Sequence, residues 1–451
     1  MSPTPPLRTA VVGTGHRAQT FTRDLAARPG HRVAALCDPS RTRMAFHNRL
    51  LARAGEPPAA EWQPEHFADR LVKEGIDQVV VTTVDAEHDR YIVPALRAGC
   101  RVVTEKPMTV DAVRCARILD AVRETGNSLT VAFNYRFNPV HERVRGLLAE
   151  GAVGEILSVH FEWLLDTRHG ADYFRRWHRE KRYSGGLLVH KASHHFDLVN
   201  WWLGDAPEEV FGYGRLAFYG PRAGARHGLR RPYDRAHGAE AAADDPFALD
   251  LAADDTLRAL YLDAERDDGY HRDRNVFGGP VTIEDDMAVL VRYTRGATMT
   301  YHLTAYSPWE GYRVMVNGSA GRLELEVEES RWQSPRPRTV CDTGAPHEGG
   351  VRLTLRPLWR PPADIPVETR HDAHGGGDAR MLDALFATDR TGAANTATAT
   401  ATERDGALAL GAGLAANRCF DTGRPVRIAD LLPGLGPTGS VPVPDPPPST
   451  A

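Results

Sequence analysis

The first 130 residues alternate short valine-rich runs with amphipathic stretches, and this narrows the possible folds more than any other feature. The apolar runs fall at Leu7–Val12, Val33–Cys37, Gln78–Val84, Arg101–Thr104 and Ser128–Phe133. Helical stretches separate them, at about 16–28, 40–54, 64–74, 88–98 and 109–125. Strands that alternate with helices build βαβ units and a parallel sheet. Runs this short and continuous suit strands buried on both faces.

After residue 140 the pattern changes. Strand-like segments follow one another at 155–165, 208–219, 286–295, 297–306, 312–317 and 321–328, with turn signals such as Arg295-Gly296 between them. A largely antiparallel sheet is expected here. The stretch 221–280, rich in Arg, Asp, Gly and Ala, reads as an insertion or arm over this second domain. Segment 329–372 reads as loops, and Asp378–Phe386 and Glu403–Thr422 as helices. Thr396–Thr402 is low-complexity, residues 431–451 form a proline-rich tail expected to be flexible, and no repeat is found.

A chain of 451 residues suits two or three domains. Its net charge of −4 gives no basic surplus for nucleic acid, and no apolar run reaches membrane-spanning length. The polar start leads directly into the first strand, so no signal peptide is expected. Five scattered cysteines without a CxxC pair suggest a reducing, cytoplasmic setting. Only four of the 55 basic residues are lysine: Lys73, Lys106, Lys181 and Lys191. Lysine can be tuned to give up its proton and arginine cannot, so a lysine that resists this bias marks a candidate site.

Three motifs carry chemistry. Gly13-Thr14-Gly15-His16-Arg17-Ala18 links the first strand to a helix. Small residues at its first, third and sixth positions let the chain approach a pyrophosphate at a helix N-terminus. Asp38 ends the second strand at the spacing of a carboxylate for the adenosine ribose. Its charge favours NAD over NADP, whereas Arg41 and Arg43 nearby would favour NADP; capping of the next helix is the alternative role for Asp38. The second motif, Glu105-Lys106-Pro107, follows the fourth strand, where ligands of parallel sheets sit. Glu105 is placed to hold the ammonium or the nicotinamide ribose.

The third motif runs from Gly185 to Gly204 and reads as one helix. His190, His194 and Asp197 fall on one face, with Lys191 and His195 beside them. Histidine titrates near neutrality, so this face suits a general base for a sugar hydroxyl. His190 and His194 also have metal-ligand spacing, but a third ligand is missing and no metal is expected.

These stretches together resemble the Gfo/Idh/MocA oxidoreductases over roughly residues 7–428. The matching segments are VVGTGHRA, the Asp38 strand end, TTVDAEHDRYIVPALRAGCRVVTEKPM, VAFNYRFNPVHERVRGLLAEGAVGEI, GGLLVHKASHHFDLVNWWLG and HGGGDARMLDAL. The resemblance implies an α/β fold. Residues 1–135 would form a Rossmann NAD(P)-binding domain. Residues 136–430 would form an α+β domain with a large, mainly antiparallel open-faced sheet for substrate and oligomerisation. It assigns Lys106 and His194 as the catalytic pair, with His190 beside them. Thr83 and His88 join the cofactor residues; Lys191, Asp197 and Tyr135 go to the substrate. The sequence departs from the family at His190, where an aspartate is usual.

Two more segments are candidates. Asp268–Arg274, with His271 and Arg272, is suited to line a polyol pocket, or is a solvated loop. Tyr306–Tyr312 offers aromatics for sugar stacking, although sheet packing accounts for them as well, and His374–Asp378 resembles a family loop near the substrate. The expected protein is an NAD(P)-dependent oxidoreductase of a sugar, glycoside or cyclitol, acting as a homodimer or homotetramer. The alternatives are a redox-assisted glycosidase and a non-catalytic sensor of nucleotide or sugar.

Overall fold

A computed structural model describes residues 5–333, 349–368, 376–387 and 399–435. The proline-rich tail beyond residue 435, Cys341, His374, Gly375 and positions 396–398 of Thr396–Thr402 lie outside these residues.

The first sheet contains β1 (Leu7–Val12), β2 (His31–Cys37), β3 (Ala60–Trp62), β4 (Gln78–Val81), β5 (Arg101–Thr104) and β6 (Leu129–Val131). All six run parallel, in the order β6-β5-β4-β1-β2-β3. Helices cover both faces, and Val11, Val12, Val79, Val80, Val102 and Val103 are buried, as their valine runs require. The order reverses between β1 and β4, which opens a crevice at the carboxyl ends of the strands.

The second sheet has nine strands: β7 (Ile156–Asp166), β8 (Pro207–Arg215), β9 (Asp286–Tyr293), β10 (Thr298–Ser307), β11 (Glu310–Gly318), β12 (Gly321–Ser330), β13 (Val351–Pro357), β14 (Ala363–Asp364) and one more at Val426–Arg427. It is antiparallel apart from the β7–β10 pair. Buried and exposed residues alternate along β9 and β10, so one face packs and the other is open. The packed face carries Phe161, Trp163, Tyr301 and Tyr312.

Four sequence expectations need correction. The segment 329–372 is not loop throughout, because β13 pairs with β12 along seven residues. Its alternation of Leu353 and Leu355 with Arg352, Thr354 and Arg356 is hidden by the neighbouring prolines. The strand Ala401–Thr402 joins the first sheet beside β6, so the chain returns to that sheet long after residue 135. The third motif is two helices, Leu187–His190 and Ser193–Leu203, with Lys191 and Ala192 in a turn. That break removes the shared helical face assumed for His190, His194 and Asp197. The insertion does more than cover the second sheet: Leu249, Leu251, Leu257, Leu260 and Tyr261 pack on Phe46 and Leu50 from the helix after β2.

The helix Glu403–Thr422 begins with a reciprocal cap between Thr402 and Asp405. It packs against β8 and the Ser193–Leu203 helix through a row of small residues. A Cβ at Gly413 would lie 2.5 Å from the carbonyl oxygen of Leu188. Glycine at this position therefore lets the long helix support the segment that carries His190. Among the described residues, no helix is long and apolar enough to cross a membrane.

Candidate active site

A cavity of about 1850 Å³ lies between the carboxyl ends of the first sheet and the aromatic face of the second. Gly13, Gly15, His16, Arg17, Asp38, Thr83, Glu105 and Lys106 line one end. Gly13 has φ 81°, and a Cβ there would sit 2.7 Å from the backbone of Thr82 and Thr83. Only glycine allows the loop to lie this close to the end of β4. Gly15 borders the cavity, where its nearest outside atom, at 3.6 Å from a built Cβ, is the Tyr261 hydroxyl. Thr14 and Ala18 are fully buried beneath the loop.

Asp38 accepts hydrogen bonds from the backbone N–H of Thr14 at 2.7 Å and of Ser40 at 2.8 Å. Ser40, rather than Asp38, caps the following helix, by accepting from the Arg43 N–H. A glycine loop running into a helix, bordered by a carboxylate at the next strand end, fits a dinucleotide. These residues would hold its diphosphate and adenosine ribose.

Several expected cofactor residues take other roles. Glu105 does not hold the Lys106 ammonium; it pairs with Arg17 Nε at 2.5 Å and accepts from the Lys106 backbone N–H at 3.1 Å. Arg17 also grips Asp378, at 2.8 and 3.0 Å. His88 is fully buried and does not border the cavity. Its Nδ1 lies 3.0 Å from the carbonyl of Pro107 and its Nε2 lies 3.4 Å from that of Thr83, so it braces the loops on which Lys106 and Thr83 sit.

Lys106 reaches across the crevice, and its Nζ donates to the carbonyl of His190 at 3.1 Å. Burial lowers its ammonium to about 8, with Lys191 adding repulsion against the attraction of Glu105. His194 borders the same cavity and stacks on Tyr135, with ring centres 4.2 Å apart. Lys191 donates to the Tyr135 hydroxyl at 3.1 Å and lies 4.6 Å from the centre of the Trp163 ring. Burial lowers this ammonium too. His190 faces a different neighbour: its Nδ1 lies 2.6 Å from Asp85 Oδ2. Burial raises the Asp85 carboxyl and lowers the His190 imidazole, which Lys106 lowers further. Both shifts disfavour the charged form of the pair, which is joined by one short hydrogen bond.

Asp197 lies outside the cavity. Arg136 takes both its oxygens, at 2.6 and 2.8 Å, in a fully buried pair, so the carboxylate secures the helix and does not face substrate. His271 and Arg272 border the cavity, with His271 41% exposed and Arg272 stacked over the Tyr261 ring at 4.4 Å. Tyr312 stacks on Trp163 at 4.4 Å, whereas Tyr306 packs on Phe218 away from the site.

Sequence reading missed several cavity residues. Asp85 follows β4, and its place at a strand end was an available signal. Glu310 and His169 meet at 2.6 Å, and His169 also contacts the Tyr173 hydroxyl at 3.1 Å. Burial and the neighbouring Asp166 raise the Glu310 carboxyl to about 8, and burial lowers His169 to about 4. No local pattern announces a pair separated by 141 positions in the chain.

The matching family models agree with this architecture. The oxidoreductase family NAD-binding Rossmann fold matches residues 7–133, and the oxidoreductase family C-terminal alpha/beta domain matches residues 145–428. The YteT protein of Bacillus subtilis (strain 168) is 34% identical over 375 residues, 79% of this chain and 82% of that one. The scyllo-inositol 2-dehydrogenase (NAD(+)) of the same strain is 24% identical over 219 residues, 47% of this chain and 58% of its own. Among solved structures, an inositol dehydrogenase homolog from Azotobacter vinelandii complexed with NAD+ superposes with TM-score 0.61 at 16% identity, covering 94% of this chain and 98% of that one. The aldose-aldose oxidoreductase of Caulobacter crescentus superposes equally well, with TM-score 0.61 at 18% identity, covering 94% and 99%. With both domains matched across the cavity that their residues enclose, the chain belongs to the Gfo/Idh/MocA oxidoreductase family and carries its NAD-binding Rossmann domain.

Proposed function

We propose that the protein oxidises a secondary hydroxyl of a cyclitol or sugar, using His194 as general base and Lys106 to orient the substrate oxygen. The observation that carries this reading is that both side chains border one cavity, which the glycine loop and Asp38 also line. The names of the inositol dehydrogenase relatives support the substrate class.

A bound NAD+ supplies the hydride acceptor. His194 takes the hydroxyl proton onto its imidazole, held flat against Tyr135. The Lys106 ammonium donates to the same oxygen and stabilises its developing negative charge. The carbonyl of His190 fixes the direction of that ammonium. The aromatic wall of Tyr135, Trp163 and Tyr312 keeps water from the apolar edge of a ring substrate. The open face of the nine-stranded sheet supports pairing of two subunits, which sedimentation would test.

The Asp85–His190 pair favours one second reading. It supplies another acid–base group in the same cavity, as a redox-assisted glycosidase requires. Incubating the protein with NAD+ and panels of cyclitols, aldoses and glycosides, read for NADH and for released aglycone, separates the two. Net NADH from a cyclitol or aldose supports the dehydrogenase. Aglycone release without net NADH supports the second reading. His194→Ala should abolish NADH formation while NAD+ still binds; a variant with near-normal turnover would overturn the assignment of the base.

A further inference from the structure

We propose that the 221–280 insertion completes the cofactor site, with Tyr261 and Arg272 closing over the diphosphate and Asp268 withholding Arg43 from a 2′-phosphate. This rests on the dinucleotide occupying the glycine-loop end of the cavity, and it extends that reading to residues outside the Rossmann domain.

The first observation is local to the glycine loop. The backbone N–H of His16, in the glycine loop, donates to the Tyr261 hydroxyl at 3.0 Å. A phenol that accepts one hydrogen bond still has its own O–H to give. A phosphate oxygen beside His16 would receive that hydrogen. Arg272 stacks over the same ring, at 4.4 Å, and also borders the cavity. Its guanidinium lies 3.6 Å from Asp172, which Arg176 also contacts at 3.1 Å. Two guanidinium groups, Arg272 and Arg176, thus stand near this end; burial first, then these two, lower the His16 imidazole to about 4 against the opposing pull of Asp172 and Asp254. Positive charge beside a helix N-terminus suits an anion.

The second observation concerns the ribose end. Arg43 is the cation nearest Asp38 in sequence after Arg41, and it would be the obvious partner for a 2′-phosphate. The insertion engages it at Nε and Nη1, and Asp38 Oδ1 itself accepts from the same Nη1 at 3.4 Å. Asp268 binds its Nη1 at 2.6 Å, and the Leu260 carbonyl accepts from its Nε at 3.0 Å. Asp267 meanwhile accepts from the Ser40 hydroxyl at 2.6 Å and the Thr42 N–H at 2.9 Å. A 2′-phosphate would therefore meet Asp38, Asp267 and Asp268 with Arg43 already neutralised. The exposed Arg41 stands outside this arrangement.

Titration calorimetry of the full-length, nucleotide-stripped protein with NAD+, NADP+ and ADP-ribose tests both halves without requiring turnover. Tyr261→Phe keeps the ring that packs in the core and removes only the hydroxyl. It should weaken NAD+ and ADP-ribose alike, by about 5- to 10-fold. Arg272→Gln should weaken both by about 10- to 100-fold, with partial recovery in Arg272→Lys. Asp268→Asn should raise NADP+ affinity relative to NAD+ by about 10-fold, and adding Arg43→Ala should cancel that gain. Unchanged ADP-ribose affinity in both Tyr261→Phe and Arg272→Gln would overturn the diphosphate role. An unchanged NAD+/NADP+ ratio in Asp268→Asn would overturn the ribose role. A wild type that binds no nucleotide overturns the cofactor reading along with this one, whereas wild-type binding with unaltered variants overturns this one alone.

Discussion

His190 Nδ1 sits 2.6 Å from the Oδ2 of Asp85, so an imidazole from the second domain is held by a carboxylate from the end of β4. Where the family commonly places an aspartate, this chain presents an imidazole backed by an aspartate from another element. The hydrogen bond to Asp85 engages Nδ1 and orients the ring. Asp85→Asn should lower kcat by about 10- to 100-fold with NAD+ affinity unchanged. Asp85→Glu should recover part of the loss and restore the wild-type shape of the pH profile. A kcat within about two-fold of wild type for Asp85→Asn would count against this coupling.

Lys106 gives a pH signature. Burial lowers its ammonium to about 8, so it loses its proton as pH rises through that value. If the charged form orients the substrate oxygen, kcat/KM should fall above about 8. Lys106→Arg stays charged across this range but is planar and larger, so it should lose about 100-fold in activity with a flat alkaline limb. A wild-type profile that is level through the alkaline range would contradict the assignment.

Glu310 and His169 predict a change in stability. In the folded protein Glu310 keeps its proton up to about 8, against 4.5 in its ordinary state, while His169 falls to about 4 from 6.5. The folded pair therefore binds one proton between about 4 and about 8. Above 6.5 the unfolded pair binds none, so stability should fall as pH rises from 6.5 through about 8. Glu310→Gln should remove that fall. Melting temperatures measured across this pH range check it, and parallel curves for the two proteins would refute it.

The Arg136–Asp197 pair is almost wholly excluded from solvent, at 3% and 1% side-chain exposure. Arg136→Ala would leave a buried carboxylate without its guanidinium and should cost about 3–5 kcal/mol. Burial already raises Asp197 to about 6, so the damage should ease in acid, where the carboxylate can take up a proton. Denaturant unfolding at neutral and mildly acidic pH tests this; a cost below about 1 kcal/mol would show that Asp197 is otherwise compensated.

The alternation of valine runs with helices determined the parallel sheet, because strands covered on both faces must be apolar along their length. β1, β2, β4 and β5 lie where those runs lie, and the Gly13 turn follows from the same local chemistry. β13 was not legible, since its partner β12 supplies the pairing that its proline-rich surroundings conceal. At the site, Lys106 and His194 could be read from motif and resemblance, and both border the cavity. The roles of their neighbours could not. A helical repeat assigns faces only while the helix continues, and the turn at Lys191 and Ala192 sends His190 toward Asp85 and His194 toward Tyr135. Charge pairing is likewise long-range: Asp197 is claimed by Arg136, Glu105 by Arg17 and Glu310 by His169. The sequence determined which chemical groups exist and how each strand or helix begins. Only the tertiary structure decided which of those groups meet, because burial makes each buried charge pair with whatever the fold brings within reach.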